Sequence, residues 1–170
     1  MKKQKQETAD SIENSAAKIK ELSVAASTVT KFILMIVFAD IAINVYFFMR
    51  NIISGKDLDD IVKFAEEIIR WGIYTIMLFS VSKMFKKISE EGTPFRDHSV
   101  KCLNTVGILF MLNSCVPSYI SGIIIGITSS FENANFSVSL DNIIIGAIFL
   151  LLAKIFSYGC ILQQESDETL

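Results

Sequence analysis

The chain alternates long apolar runs with short polar gaps. Four runs stand out, at roughly 32–48, 68–85, 106–127 and 143–161. A helix rises about 1.5 Å per residue and the hydrocarbon core of a bilayer is about 30 Å thick, so about 20 residues cross it. Each run reaches that length once less apolar neighbours are added. The first run is the shortest and carries Asp40 and Asn44, yet its flanking stretches are too apolar to be left in water. The expected fold is all-α: a polytopic membrane protein with four transmembrane helices in a bundle. Residues 1–31 form an N-terminal segment that is partly helical, 32–162 the membrane domain, and 163–170 an acidic tail.

The gaps carry local signals. Met1 to about Asp10 are polar and rich in Lys and Gln, which reads as an unfolded lead-in. From there Ile12, Ala16, Ile19, Ser23 and Ala26 recur at helical spacing. That stripe suits either an amphipathic helix on the membrane surface or a solvated lead-in. Ser54 and Gly55 break the chain. Asp57 or Asp59 can cap a helix whose apolar residues Leu58, Ile61, Phe64, Ala65 and Ile68 lead into the second span. Trp71 and Tyr74 are expected at the outer interface, where such rings concentrate. Gly92 ends the second helix. Thr93 as cap and Pro94 as first helical residue are expected to start the next, with Phe95 folding back on the helices. Residues 128–142 read as an outer loop. Within it, Asn135, Phe136 and Ser137 match a glycosylation acceptor, which has meaning only in a eukaryotic secretory pathway.

Charge fixes the expected orientation. Six Lys precede span one (Lys2, Lys3, Lys5, Lys18, Lys20 and Lys31), and five basic residues separate spans two and three (Lys83, Lys86, Lys87, Arg96 and Lys101). Four lie between spans one and two (Arg50, Lys56, Lys63 and Arg70), and none between spans three and four. Alternate gaps thus hold eleven against four. The positive-inside rule places both termini and the middle elbow in the cytoplasm of a multi-pass cell-membrane protein. Composition agrees: 51% of residues are hydrophobic and mean hydropathy is +0.46. The net charge of −2 selects no partner beyond the lipid bilayer, and direct nucleic-acid binding is not expected. The first run, which starts late and holds Asp40, is expected to stay as an anchor.

Chemistry-bearing residues are few. Asp40 falls near mid-membrane, and Asn44 follows one turn on. An ionised acid there costs about 2.5–3.5 kcal/mol on the insertion scale, so it pairs or stays protonated. Lys154 is one partner for it; the other reading has Lys154 reaching out to the interface. Ser114, Ser118, Gly122 and Gly126 share one helix face, and such small residues let helix backbones approach closely. They would serve packing within the chain, a homodimer face or a pore lining. Pro117 beside them should kink the helix and free a carbonyl near Asn113. His98, the one histidine, reads as an ordinary exposed side chain. The three Cys show no paired spacing. No nucleophile–base set, zinc motif or phosphate loop occurs, so neither enzyme nor cofactor nor metal is expected.

Two stretches carry a family resemblance. One is the elbow from Lys87 through Gly92, Thr93, Pro94 and Phe95, followed by Val100 and Leu103. The other is the end of the chain, with Phe156, Gly159, Leu162, Gln163, Glu165, Asp167 and Thr169. Together they resemble the bacterial membrane family known as domain of unknown function 2975. The resemblance implies a small four-span protein. It also implies a regulatory partnership, because such genes often sit beside a short helix-turn-helix regulator. No catalytic residue is carried over. The tail's Glu165, Asp167 and Glu168 can dock on the basic elbow (Lys83, Lys86, Lys87 and Arg96), receive a basic partner, or stay solvated. The expected function is therefore that of a regulatory or sensory membrane protein; the alternative is a small oligomeric transporter or channel component. Topology is directly testable. Reporters fused after residue 170 and inserted at 93 should both read as cytoplasmic, and one inserted at 131 should read as external.

Overall fold

The computed structural model describes the backbone of residues 2–55, 58–128 and 134–168, and side chains from 14 onward except 16, 58, 60 and 167 within those stretches. It contains four helices: α1 (Lys2–Ile53), α2 (Leu58–Glu91), α3 (Asp97–Thr128) and α4 (Leu140–Glu168). Each holds a stretch long and apolar enough to cross a membrane: Ala17–Ile53, Ile61–Glu91, Asp97–Thr128 and Leu140–Ser166. Large apolar side chains such as Phe32, Met35, Phe79, Ile127 and Leu151 point outward, as lipid contact requires. The chain is a multi-pass membrane protein.

α1 is 52 residues long, about 78 Å at 1.5 Å per residue. The polar lead-in expected to be unfolded is its first turns. Lys, Gln, Glu and Ala are good helix formers, and no Gly or Pro interrupts them before the span. Its inward stripe runs through Ser23, Ser27, Thr30, Leu34, Val37, Ile41, Asn44, Phe48 and Asn51, all buried or half-buried. Those steps alternate four and three, the spacing of a coiled-coil seam. Ile19 and Ser23 of the lead-in stripe thus begin a helix–helix contact, the side chains of Ile12 and Ala16 lying outside the described residues, and the small Ser and Thr on the inward face let the helices approach closely. Thr30 returns its hydroxyl to the Ala26 carbonyl at 2.7 Å, so its polarity is met within the helix.

The helices adjoin in chain order: α1 lies on α2, α2 on α3, and α3 on α4. Among the described residues no close backbone approach joins α1 to α3 or α4. α2, α3 and α4 interlock through side chains, and α1 is appended to α2. Met84 and Ile88 of α2, Leu103 of α3 and Ala153 of α4 form the buried cluster, with Ile19 of α1 against its edge. Farther along, Tyr74 of α2 packs edge-on to Phe110 of α3 and donates its hydroxyl to Asn142 Oδ1 of α4, 3.3 Å away. Tyr74 thus joins three helices. Phe110 stacks on Phe149 at 5.6 Å.

α3 and α4 form a close seam at Gly107 and Gly146. A Cβ on Gly146 would stand 2.8 Å from the Gly107 carbonyl oxygen. This seam was not foreseen in the small-residue stripe, which meets something else. After α3 the chain turns back, and residues 134–139 run extended along α3. Ser114 donates its hydroxyl to the Ser139 carbonyl (2.9 Å), and the Ser139 N–H donates to the Ser114 carbonyl (3.0 Å). The Ser118 hydroxyl accepts the Ser137 N–H at 2.9 Å and bonds the Ser137 hydroxyl at the same distance. Gly122 leaves room for Phe136, whose ring would lie 2.7 Å from an added Cβ. Gly126 is buried farther along the same face. The stripe thus cradles a peptide strap where a helix was expected.

The strap satisfies a general condition. Irregular backbone beside apolar helices is tolerated where protein meets its polar groups, and Ser114 and Ser118 of α3 do this for residues 134–139. Gly146→Ala should destabilise the protein by about 1–3 kcal/mol through overpacking. Gly72→Ala, where a Cβ meets nothing within 4 Å, should be neutral or stabilising by up to about 1 kcal/mol. Thermal unfolding in one detergent compares the two.

Candidate functional site at the elbow and the end of α4

Three helix ends meet at the elbow. α2 closes at Gly92, whose φ of 71° is a left-handed conformation that a side chain would strain, and whose N–H bonds the Ile88 carbonyl at 2.8 Å. The next helix does not start at Pro94 as expected. Thr93 instead caps a tight turn, its hydroxyl oxygen accepting the Phe95 N–H at 3.3 Å, and the Arg96 N–H reaches the Pro94 carbonyl at 3.1 Å. The Arg96 carbonyl then accepts from Ser99 and Val100, so Arg96 holds the cap position and α3 begins at Asp97. Two residues are thus spent turning Phe95 back toward the helices, as expected.

Phe95 lands on the end of α4. Its ring lies 5.4 Å from that of Phe156, over Gly159, where a Cβ would stand 2.5 Å from the ring edge. One turn on, the Thr93 hydroxyl donates to Gln163 Oε1 at 3.2 Å. Phe95, Thr93, Phe156, Gly159 and Gln163 all belong to the two stretches singled out in the sequence. They are about 65 positions apart in the chain and in contact in the fold.

Beside this contact lies a cavity of about 790 Å³, lined by Lys87, Glu91, Arg96, Asp97, His98, Lys101, Cys160, Gln163 and Gln164 as well as Phe95. Its walls are charged or amide-bearing, unlike the apolar outer surface. Glu91 stands between two donors, 3.7 Å from Arg96 Nε and 3.7 Å from His98 Nδ1. His98 is not the exposed residue expected: its side chain is only 19% exposed, and Nε2 is buried without a hydrogen-bond partner. The position after an elbow turn, where the first helical turn folds inward, could have signalled this.

The other expected docking residues are paired locally or extend outward. Lys86 reaches Glu90 one turn on at 3.8 Å, and Lys83 sits over the Phe79 ring at 4.4 Å. The acidic tail continues α4 as helix to Glu168, so Glu165 and Glu168 project from a rod. The side chain of Asp167 lies outside the described residues. At membrane depth, Asn44 donates to Asp40 Oδ2 at 3.0 Å and to the Asp40 carbonyl at 2.9 Å. Lys154 is exposed on α4, which α1 does not adjoin, so the structure does not bring Asp40 and Lys154 together. Cys102, Cys115 and Cys160 are free thiols.

A polar cluster not foreseen in the sequence lies toward the opposite end. Glu66 takes Arg70 at 2.6 Å on one oxygen and the Ser121 hydroxyl at 2.9 Å on the other, tying α2 to α3. The i, i+4 spacing of Glu66 and Arg70 was a legible signal. Farther in, Asn113 is fully buried with neither side-chain polar atom bonded, one turn before Pro117.

The fold and this elbow define a small polytopic α-helical membrane protein with a charged cavity at a helix-end junction. The chain belongs to the family described as "Protein of unknown function (DUF2975)", whose model matches residues 68–170. That match covers α2 from Ile68, all of α3 and α4, and both elbow stretches, and it leaves α1 outside. No curated protein and no solved structure matches the chain. If the Phe95–Gly159 contact joins the two stretches, Phe95→Ala and Gly159→Ala should be non-additive. A double-mutant cycle on thermal stability should return a coupling of about 0.5–3 kcal/mol.

Proposed function

We propose that the chain is a membrane-embedded regulatory or sensory subunit that holds a cytoplasmic helix-turn-helix regulator at its elbow and tail. One observation carries this reading: the two most distinctive stretches of the sequence meet around a cavity walled by charge and amides, at the basic end of the molecule. Basic belts face the cytoplasm, so a soluble partner there would meet Arg96, Lys101 and the projecting acids of the α4 rod. Charged rims of this kind set encounter rate and specificity more than raw affinity. The gene neighbourhood typical of the family supplies the kind of partner.

A channel or transporter component is the second reading, favoured by Asp40 and Asn44 on the inward stripe of α1. Affinity purification of the intact chain from its native membrane separates the two. The regulatory reading expects a small DNA-binding protein to co-purify and to be lost on deleting residues 163–170 and in Phe95→Ala. Its absence, together with liposome ion flux that drops in Asp40→Ala, would move the assignment to transport.

A further inference from the structure

We propose that the elbow cavity binds a phosphate-bearing anion, either the headgroup of a membrane lipid or free phosphate. This goes beyond regulator docking and does not depend on it. Three cations line the cavity: Lys87 from α2, Arg96 from the turn and Lys101 from α3. Arg96 is already near Glu91. Lys87 and Lys101 enter no ion pair among the described residues. Two carboxylates, Glu91 and Asp97, share the walls. Glu91 lies 3.7 Å from both Arg96 Nε and His98 Nδ1, and three cations against two carboxylates leave the lining with an excess of positive charge.

Neutral donors add to the cations. Ser99 and Val100 are the first α3 residues whose N–H groups find a backbone acceptor, at Arg96. The N–H groups of Asp97 and His98 precede them at the positive end of a 32-residue helix dipole. Both residues line the cavity, as do the side-chain amides of Gln163 and Gln164. Ammonium groups, helix-end amides and carboxamides around one volume make a donor set suited to phosphate oxygens. At about 790 Å³ the space accepts a lipid headgroup as well as a free ion. A headgroup phosphate and a free phosphate present the same oxygens to this donor set.

The test uses the purified full-length chain. In one arm, native mass spectrometry counts phosphatidylglycerol retained against phosphatidylcholine. In the other, inorganic phosphate is titrated into the protein in phosphatidylcholine nanodiscs at fixed ionic strength, with melting temperature as readout. Saturable binding is expected in at least one arm. Retention of phosphatidylglycerol alone assigns a lipid headgroup, and a phosphate-dependent melting shift assigns the free anion. The double variant Lys87→Gln/Lys101→Gln should weaken binding about tenfold or more. Lys87→Arg/Lys101→Arg should keep it, and Lys18→Gln/Lys20→Gln, which removes equal charge from α1, should change nothing. The proposal is overturned if neither arm shows binding, if the Gln variant binds like the parent, if the Arg variant loses binding, or if the α1 variant loses as much.

Discussion

A peptide group inside hydrocarbon has no water to bond, and this one constraint orders the whole molecule. Four helices meet it internally. The exception, residues 134–139, meets it by borrowing: Ser114 and Ser118 of α3 bond the backbone at Ser137 and Ser139, and Gly122 makes space for Phe136. Small residues at a spacing of four serve here to admit a backbone, as they do between helices, but the backbone admitted is extended. Pro117 lies on the same helix and removes the N–H that would bond the Asn113 carbonyl. α3 thus gathers the polar irregularities of the membrane domain onto its buried side, while Ile120, Ile123, Ile124 and Ile127 keep its outer side apolar.

The domain has two unequal parts. α2, α3 and α4 share the buried cluster, the Tyr74–Asn142 bond and the glycine seam; α1 packs along α2 and reaches the cluster at its edge through Ile19. The family match follows the same division, beginning at Ile68 and leaving α1 out. Antiparallel order explains where the candidate site lies. An up-and-down series of helices brings the end of α2, the start of α3 and the end of α4 to one face. A short turn then suffices to set Phe95 on Gly159, and the cavity is what remains between the three ends.

Much of this was legible because membrane burial is read from long apolar runs and needs no partner to be known. Helix number, the Ser54–Gly55 and Gly92 breaks, the fold-back of Phe95 and the helical continuation of α4 past Phe156 all follow from local chemistry. What escaped depends on neighbours. The stripe of Ser114, Ser118 and Gly122 declares a close approach but not what approaches. Gly107 and Gly146 lie on different helices, and a single glycine in an apolar run carries no periodic signal. The pairing of Asp40 rested on depth alone, and depth does not say which helices adjoin. His98 looked exposed because a loop histidine usually is; its half-burial comes from the one-residue cap at Arg96 that turns the first helical residues inward. Tail docking on the elbow was one of three readings of the acidic end, but it was argued from charge, whereas the contact rests on Phe95 against Gly159 and Thr93 on Gln163.

The strap also bears on association between copies. It fills the small-residue face of α3 from within the chain, with Ser114, Ser118 and Gly122 taken up by residues 136–139. A second copy could use that face only by displacing Phe136 and leaving the Ser137 and Ser139 N–H groups without their acceptors, a loss of the kind that costs most where water is scarce.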